Sequence, residues 1–149
     1  MNTDITVGVA CTTHCSDKIN PKGHEALKLC LESFVDSIDV NFKFIIIDNS
    51  STSKFSHSLL KEPNIHYHYI EDQIKNGGLT GAWNLGIRKC YEEGCDVILN
   101  SNDDIIFNPS INNFILSIFH CPFQDVSLFG PVCNYDGVPT PHQGRPTRS

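Results

Sequence analysis

Basic residues are scarce. Eleven Lys and Arg face 17 Asp and Glu, a formal net charge of −6. Binding to a nucleic-acid backbone rests on clustered Lys and Arg, so nucleic acid is excluded as the main partner. A small phosphorylated ligand is not, because a metal ion can hold it. Long apolar runs are missing too: none approaches the length of a transmembrane segment. Asp4 and polar neighbours precede the first short apolar run, which is not the pattern of a signal peptide. No CxxC pair occurs among Cys11, Cys15, Cys30, Cys90, Cys95, Cys121 and Cys133. Their number is odd, and several sit inside apolar runs, where Cys acts as a small hydrophobe. A reduced, cytoplasmic protein is the expectation. Cys11, His14 and Cys15 lie close together, but zinc sites pair two short spacings from separated segments, and Cys90 and Cys95 flank a helix end instead. Internal repeats and low-complexity segments are absent.

What is present is an alternation of short apolar runs and helical periods. A length of 149 residues favours one domain, placed at 1–138, with 139–149 as an extended or disordered tail rich in proline. Ile5 to Cys11 reads as a buried strand. Asn20-Pro21 offers a cap and a first-turn proline to a helix carrying Leu27, Cys30, Leu31, Phe34 and Ile38. Phe42 to Ile47 is a second strand, and Ser51 or Thr52 would cap a weaker helix reaching Lys61 before Pro63. Ile65 to Ile70 alternates as a strand near an edge. Gly77-Gly78 precedes a helix whose stripe would be Leu79, Trp83, Ile87, Cys90 and Tyr91, ended by Gly94. Val97 to Leu99 is a fourth strand. Asn108-Pro109 starts a helix with Ile111, Phe114, Ile115 and Ile118 inward, and Val126 to Phe129 is a fifth strand. Such an order predicts an α/β fold with a mostly parallel sheet flanked by helices, which binds ligands beyond the carboxyl ends of its strands.

Those ends are polar. The first carries Thr12-Thr13-His14, the second Asp48-Asn49-Ser50-Ser51, and the third leads to Asn76-Gly77-Gly78. The fourth ends in Asn102-Asp103-Asp104. Neighbouring carboxylates repel and call for a cation or open solvent. Mg²⁺ takes one or two carboxylates plus phosphate oxygens, and Mn²⁺ also favours oxygen. An isolated acidic pair reads equally as a solvated turn. The glycine turn is neither GxGxxG nor a P-loop; its amides suit an anion, or it is a plain turn. Asp48 suits a ribose or base edge, or an Asx-turn. His66 and His68 share a strand face and read as edge residues.

Five segments in order, "ITVGVACTTH", "FIIIDNSST", "NGGLTGAWNLG", "VILNSNDDIIFNP" and "VSLFGPVCN", resemble family 2 of the GT-A-fold glycosyltransferases and cover about residues 5–134. The resemblance implies a Rossmann-like GT-A domain that lacks the C-terminal acceptor half. It implies transfer of a sugar from a nucleoside-diphosphate sugar, UDP-sugar as first guess, to a glycan, lipid or protein acceptor. Thr12 and Asp48 would contact the nucleoside, with Thr13 or His14 nearby. Asn76, Gly77 and Asn84 would lie near the diphosphate. Asp104 would ligate Mn²⁺ or Mg²⁺, and Asp103 would face the ribose or sugar. Asn102 stands where many members carry the first aspartate of the DXD motif, which removes one charge. The general base comes from the second half of the domain in that family and is not found here; Asp125 and Asp136 lie in no base motif. The chain alone is therefore expected to bind donor and transfer poorly, with a homo-oligomer or a completing C-terminal domain as partner. A non-catalytic or truncated nucleotide-sugar-binding module that needs a partner for activity is the alternative. A pyrophosphorylase would show a basic glycine-rich loop after the first strand, and a receiver domain would carry its acidic pair there.

Overall fold

The computed structural model of the protein describes residues 4–121 of the 149. The expected fifth strand at Val126–Phe129, its Gly130-Pro131 end and the tail from Pro139 lie outside the described residues. Within them the chain runs β1 (Thr6–Thr13), α1 (Gly23–Ser37), β2 (Asn41–Asn49), a 3₁₀ turn (Ser58–Lys61), β3 (Ile65–Ile70), α2 (Gly78–Glu92), β4 (Val97–Asn102) and α3 (Ser110–Phe119). The four strands form one all-parallel sheet in the order β3-β2-β1-β4, with β3 at an edge as its alternating pattern suggested. Parallel neighbours require crossover connections, and the helices supply them on both faces.

The central strands are buried on both sides, and their period-2 alternation divides the core. Val9 and Cys11 of β1 and Phe44 and Ile46 of β2 pack with Leu27, Cys30, Leu31 and Phe34 of α1. Ala10, Ile45 and Ile47 face α2 through Ala82 and Cys90. Val7, Val97 and Ile115 close the α3 end. Each fully buried Phe, Leu or Ile contributes roughly 1.5–3 kcal/mol through apolar surface removed from water.

Several expectations are corrected. α1 begins at Gly23, after Asn20-Pro21, and no side chain caps it; the Asn20 side-chain amide donates to the His14 carbonyl at 3.0 Å and ties the preceding loop instead. No helix forms from Ser51 to Lys61; only the last four residues make a 3₁₀ turn, and buried Phe55 plugs the α1-side core ahead of it. The inward face of α2 is Ala82, Gly86 and Cys90, while Leu79, Ile87 and Tyr91 are exposed. Small residues win that face because α2 lies close on β1: a Cβ at Gly86 would sit 3.0 Å from that of Ala10. On α3, only Ile115 is fully buried, with Ile111 and Ile118 partly covered.

The helix ends follow local chemistry where it was read correctly. Asn108 accepts from the Ser110 amide at 2.9 Å before α3. Gly94, at φ 74°, ends α2, with Gly94 N–H on the Tyr91 carbonyl and Cys95 N–H on the Cys90 carbonyl, a Schellman pattern. No helix among the described residues is long and apolar enough to cross a membrane.

Candidate functional site

Parallel register brings the carboxyl ends of three strands side by side. Thr13 of β1 is level with Asp48 of β2, and Thr12 with Asn102 of β4. Beyond them opens a cavity of about 350 Å³. Its floor is Thr12, Thr13 and His14 from β1, Asn49 from β2, and Asn102, Asp103 and Asp104 from β4; Ile19, Asn20, Gln73 and Leu79 complete the wall. Six of the sequence-derived candidates, Thr12, Thr13, His14, Asn102, Asp103 and Asp104, thus share one cavity.

The acidic turn is held from below and from the side. The Asn102 carbonyl accepts from Ser101 Oγ at 2.8 Å and from the thiols of Cys11 and Cys30, each at 3.7 Å. The hydrogen bond with the Cys30 thiol, and burial after it, push the Cys11 thiol well above its ordinary value, so it stays protonated as a donor. Thr13 Oγ1 donates to Asp103 Oδ2 at 2.6 Å. Burial raises the Asp103 carboxyl above its ordinary range; the Thr13 hydroxyl opposes this and the neighbouring Asp104 adds to it. Asp104 is exposed. Among the described residues no hydrogen bond or ion pair holds its carboxylate, and no cluster of three or more His, Cys, Asp or Glu is placed to hold a metal ion. One free carboxylate at a cavity mouth fits Mg²⁺ or Mn²⁺ completed by substrate oxygens and water; it does not fit a cage made by protein alone.

The β1 and β2 loops are zipped together. The Cys15 amide donates to Ser51 Oγ at 2.8 Å, and the Thr52 amide to the Cys15 carbonyl at 2.9 Å. His14 Nδ1 lies 2.8 Å from the Asn49 carbonyl oxygen. His14 Nε2 and Asn49 Oδ1 are buried without a hydrogen-bond partner among the described residues.

Four candidates are not on the cavity wall. Asp48 is fully buried: Oδ1 accepts from the Ser51 amide and Oδ2 from the Tyr67 hydroxyl, with His24 Nε2 at 3.7 Å. Asn84 is exposed on α2, away from the lining. Asn76 and Gly77 are not in the lining, although Gln73 and Leu79 on either side of them in the chain are. The amides of Asn76, Gly77 and Gly78 are donated to the carbonyls of Asp72, Ile74 and Gln73, so these three are not free for an anion. His66 and His68 are half-buried on β3 and lie off the cavity, as edge residues.

Reading the sequence missed Asn49, Ile19, Asn20, Gln73 and Leu79. For Asn49 a signal existed. Phe44, Ile46 and Asp48 alternate onto the α1 face of β2, while Ile45, Ile47 and Asn49 alternate onto the other, so the last acid and the last amide part company. The other four come from loops and a helix start whose path no periodicity encodes.

The model of the family "Glycosyl transferase family 2" matches residues 22–147, well over half of the chain. The match begins after β1, so Thr12 to His14 lie ahead of it. No curated protein matches the sequence.

Proposed function

The chain belongs to glycosyl transferase family 2, with the all-parallel α/β architecture of a GT-A-like domain, and on that premise we propose that it binds a nucleoside-diphosphate sugar through a divalent cation on Asp104 and transfers the sugar to an acceptor hydroxyl. One observation carries the reading: the cavity beyond the carboxyl ends of β1, β2 and β4 combines an uncommitted carboxylate, Asp104, with a fixed one, Asp103. A bound Mn²⁺ or Mg²⁺ would offset the charge that develops on the leaving diphosphate. The chain's own residues do the rest. Asp104 supplies the anionic ligand. The Thr13 hydroxyl holds Asp103 so that its free oxygen can accept from a ribose or sugar hydroxyl. Thr12, His14 and Asn49 form the nucleoside wall, and the exposed side chains of Ile19 and Leu79 give its rim an apolar side.

Asn102 favours a second reading. An amide at this position gives the turn one charge fewer than a DXD sequence, which suits a module that binds nucleotide sugar without turning it over. Titration calorimetry with UDP, GDP and dTDP, with and without Mn²⁺, tests the shared part. Metal-dependent binding of one nucleotide that disappears in Asp104→Ala is expected; metal-independent binding, or none, would sink both readings. Release of nucleoside diphosphate from a matching donor separates enzyme from module.

A further inference from the structure

The loop that carries Asp104 is tied at both ends to one face of α1. Cys30, Ser33 and Phe34 stand three and four residues apart on that helix, so they sit together. At the start of the loop the Asn102 carbonyl accepts from the Cys30 thiol, with that of Cys11, each at 3.7 Å. At its end the Phe107 amide donates to Ser33 Oγ at 3.0 Å. The Ser33 hydroxyl gives its own hydrogen to the Cys30 carbonyl at 3.0 Å, which fixes the side chain and leaves a lone pair for that amide. The Phe107 ring packs edge-on against Phe34, with centroids 5.1 Å apart. Between the two ties run Asp103, held by Thr13, and then Asp104, Ile105 and Ile106. Among the described residues no hydrogen bond holds these last three, and their side chains are exposed.

Resting on the donor-site reading above, we infer that Ser33 of α1 is a positioning residue for the cation: by fixing the far end of this loop it holds the Asp104 carboxylate at the cavity mouth. Ser33 does not line the cavity and acts only through the backbone of the loop. Cys30 and Cys11 do the same at the near end, more weakly, since a thiol is a poor donor. An exposed carboxylate on an untied loop has to be ordered each time a cation binds, and the freedom lost then weakens binding. Tying both ends leaves only Asp104, Ile105 and Ile106 to be ordered. Groups that orient a ligand from behind change metal affinity by about 10–100-fold. A tie that served packing alone would change stability and leave the affinity of the folded protein as it was.

The test uses the whole chain, with Mn²⁺ titrated at a saturating level of whichever of UDP, GDP and dTDP binds. In folded Ser33→Ala, checked by thermal melting, the apparent Mn²⁺ affinity should fall about tenfold. Ser33→Thr keeps the hydroxyl and should restore it. Unchanged affinity in Ser33→Ala would overturn the inference and leave the donor site standing. So would a Ser33→Thr variant as weak as Ser33→Ala, because the loss would then not come from the hydroxyl. If no nucleotide binds with Mn²⁺ to the unaltered chain, the donor-site reading falls and takes the inference with it. Amide hydrogen exchange on the unaltered, metal-free chain gives a second readout that needs no variant to fold. The Phe107 amide should exchange at least about tenfold more slowly than those of Ile105 and Ile106. Equal exchange at the three positions would mean that the far end is not tied, and would overturn the inference on its own.

Discussion

Asp48 shows how a residue's role is set by its face of a strand. An acid at the end of an apolar run looks like a ligand, and in the folded chain it is a buried keystone. Tyr67 donates its hydroxyl hydrogen to Asp48 while its oxygen accepts from the Phe55 amide at 3.1 Å. Burial and the hydrogen bond to the Asp48 carboxylate push the phenol far above its ordinary value, so it stays a donor across the working pH range. Tyr67→Phe strands two buried groups at once, the Asp48 oxygen and the Phe55 amide. The expected cost is about 1–3 kcal/mol, read as a lower urea midpoint at unchanged m-value. A midpoint equal to that of the unaltered chain would mean that water replaces the hydroxyl at no cost. Thr13, Asp103 and Asp104 were legible because they follow short, unmistakable apolar runs. Asn49 was not, because the carboxylate beside it drew attention away from the amide that lines the cavity.

Elements were legible where size and period agreed and illegible where close approach decided. α1 reads from its large residues, since Leu27, Leu31 and Phe34 are the ones it buries. α2 does the reverse: its large residues are exposed and its small ones packed, so a search for a stripe of bulky side chains finds the wrong face. The same small-residue logic governs its first turn. A Cβ on Gly81 would overlap the carbonyl of Asn76, where the 72–78 turn folds back over the helix. Gly81→Ala would gain up to about 1 kcal/mol of helix propensity. It would lose about 1–3 kcal/mol or more to the clash, so net destabilisation is expected, together with displacement of Gln73 and Leu79 and weaker nucleotide binding. An unchanged melting temperature with full affinity would show that the turn shifts freely.

The edge strand carries a pH dependence. Burial lowers the pKa of His68 from its ordinary 6.5; the charges of Lys89 and His66 add to this, and Glu93 opposes it. The unfolded chain therefore takes up this proton before the folded one. The stability involved is complete above about 6.5 and is lost as pH falls through that value towards the lowered one. Urea midpoints should decline between about pH 7.5 and 5.5, and His68→Gln should flatten that slope. A variant that retains the full slope would assign it to other groups.

At the scale of the molecule, the carboxyl ends of the strands gather polar side chains around the cavity, and both faces of the sheet gather the core. The Asp103-Asp104 turn is exposed to the cavity, yet its preceding carbonyl is anchored by Ser101, Cys11 and Cys30 in the interior. The Asp104 carboxylate costs the fold nothing, because it is exposed and unpaired among the described residues. Binding and folding are then linked in a simple way: a ligand that binds only the native state stabilises it by an amount set by its concentration relative to Kd. Nucleotide and Mn²⁺ together, at about 100 times Kd, should add about 2.7 kcal/mol and raise the melting temperature by about 5–10 °C. With chelator in place of Mn²⁺ the rise should vanish. Asp104→Ala should melt at the unliganded temperature with or without Mn²⁺, because the side chain it removes has no structural partner. A rise that is equal with Mn²⁺ and with chelator would place the phosphates on protein groups other than Asp104, and the acidic turn would then be no more than a solvated strand end.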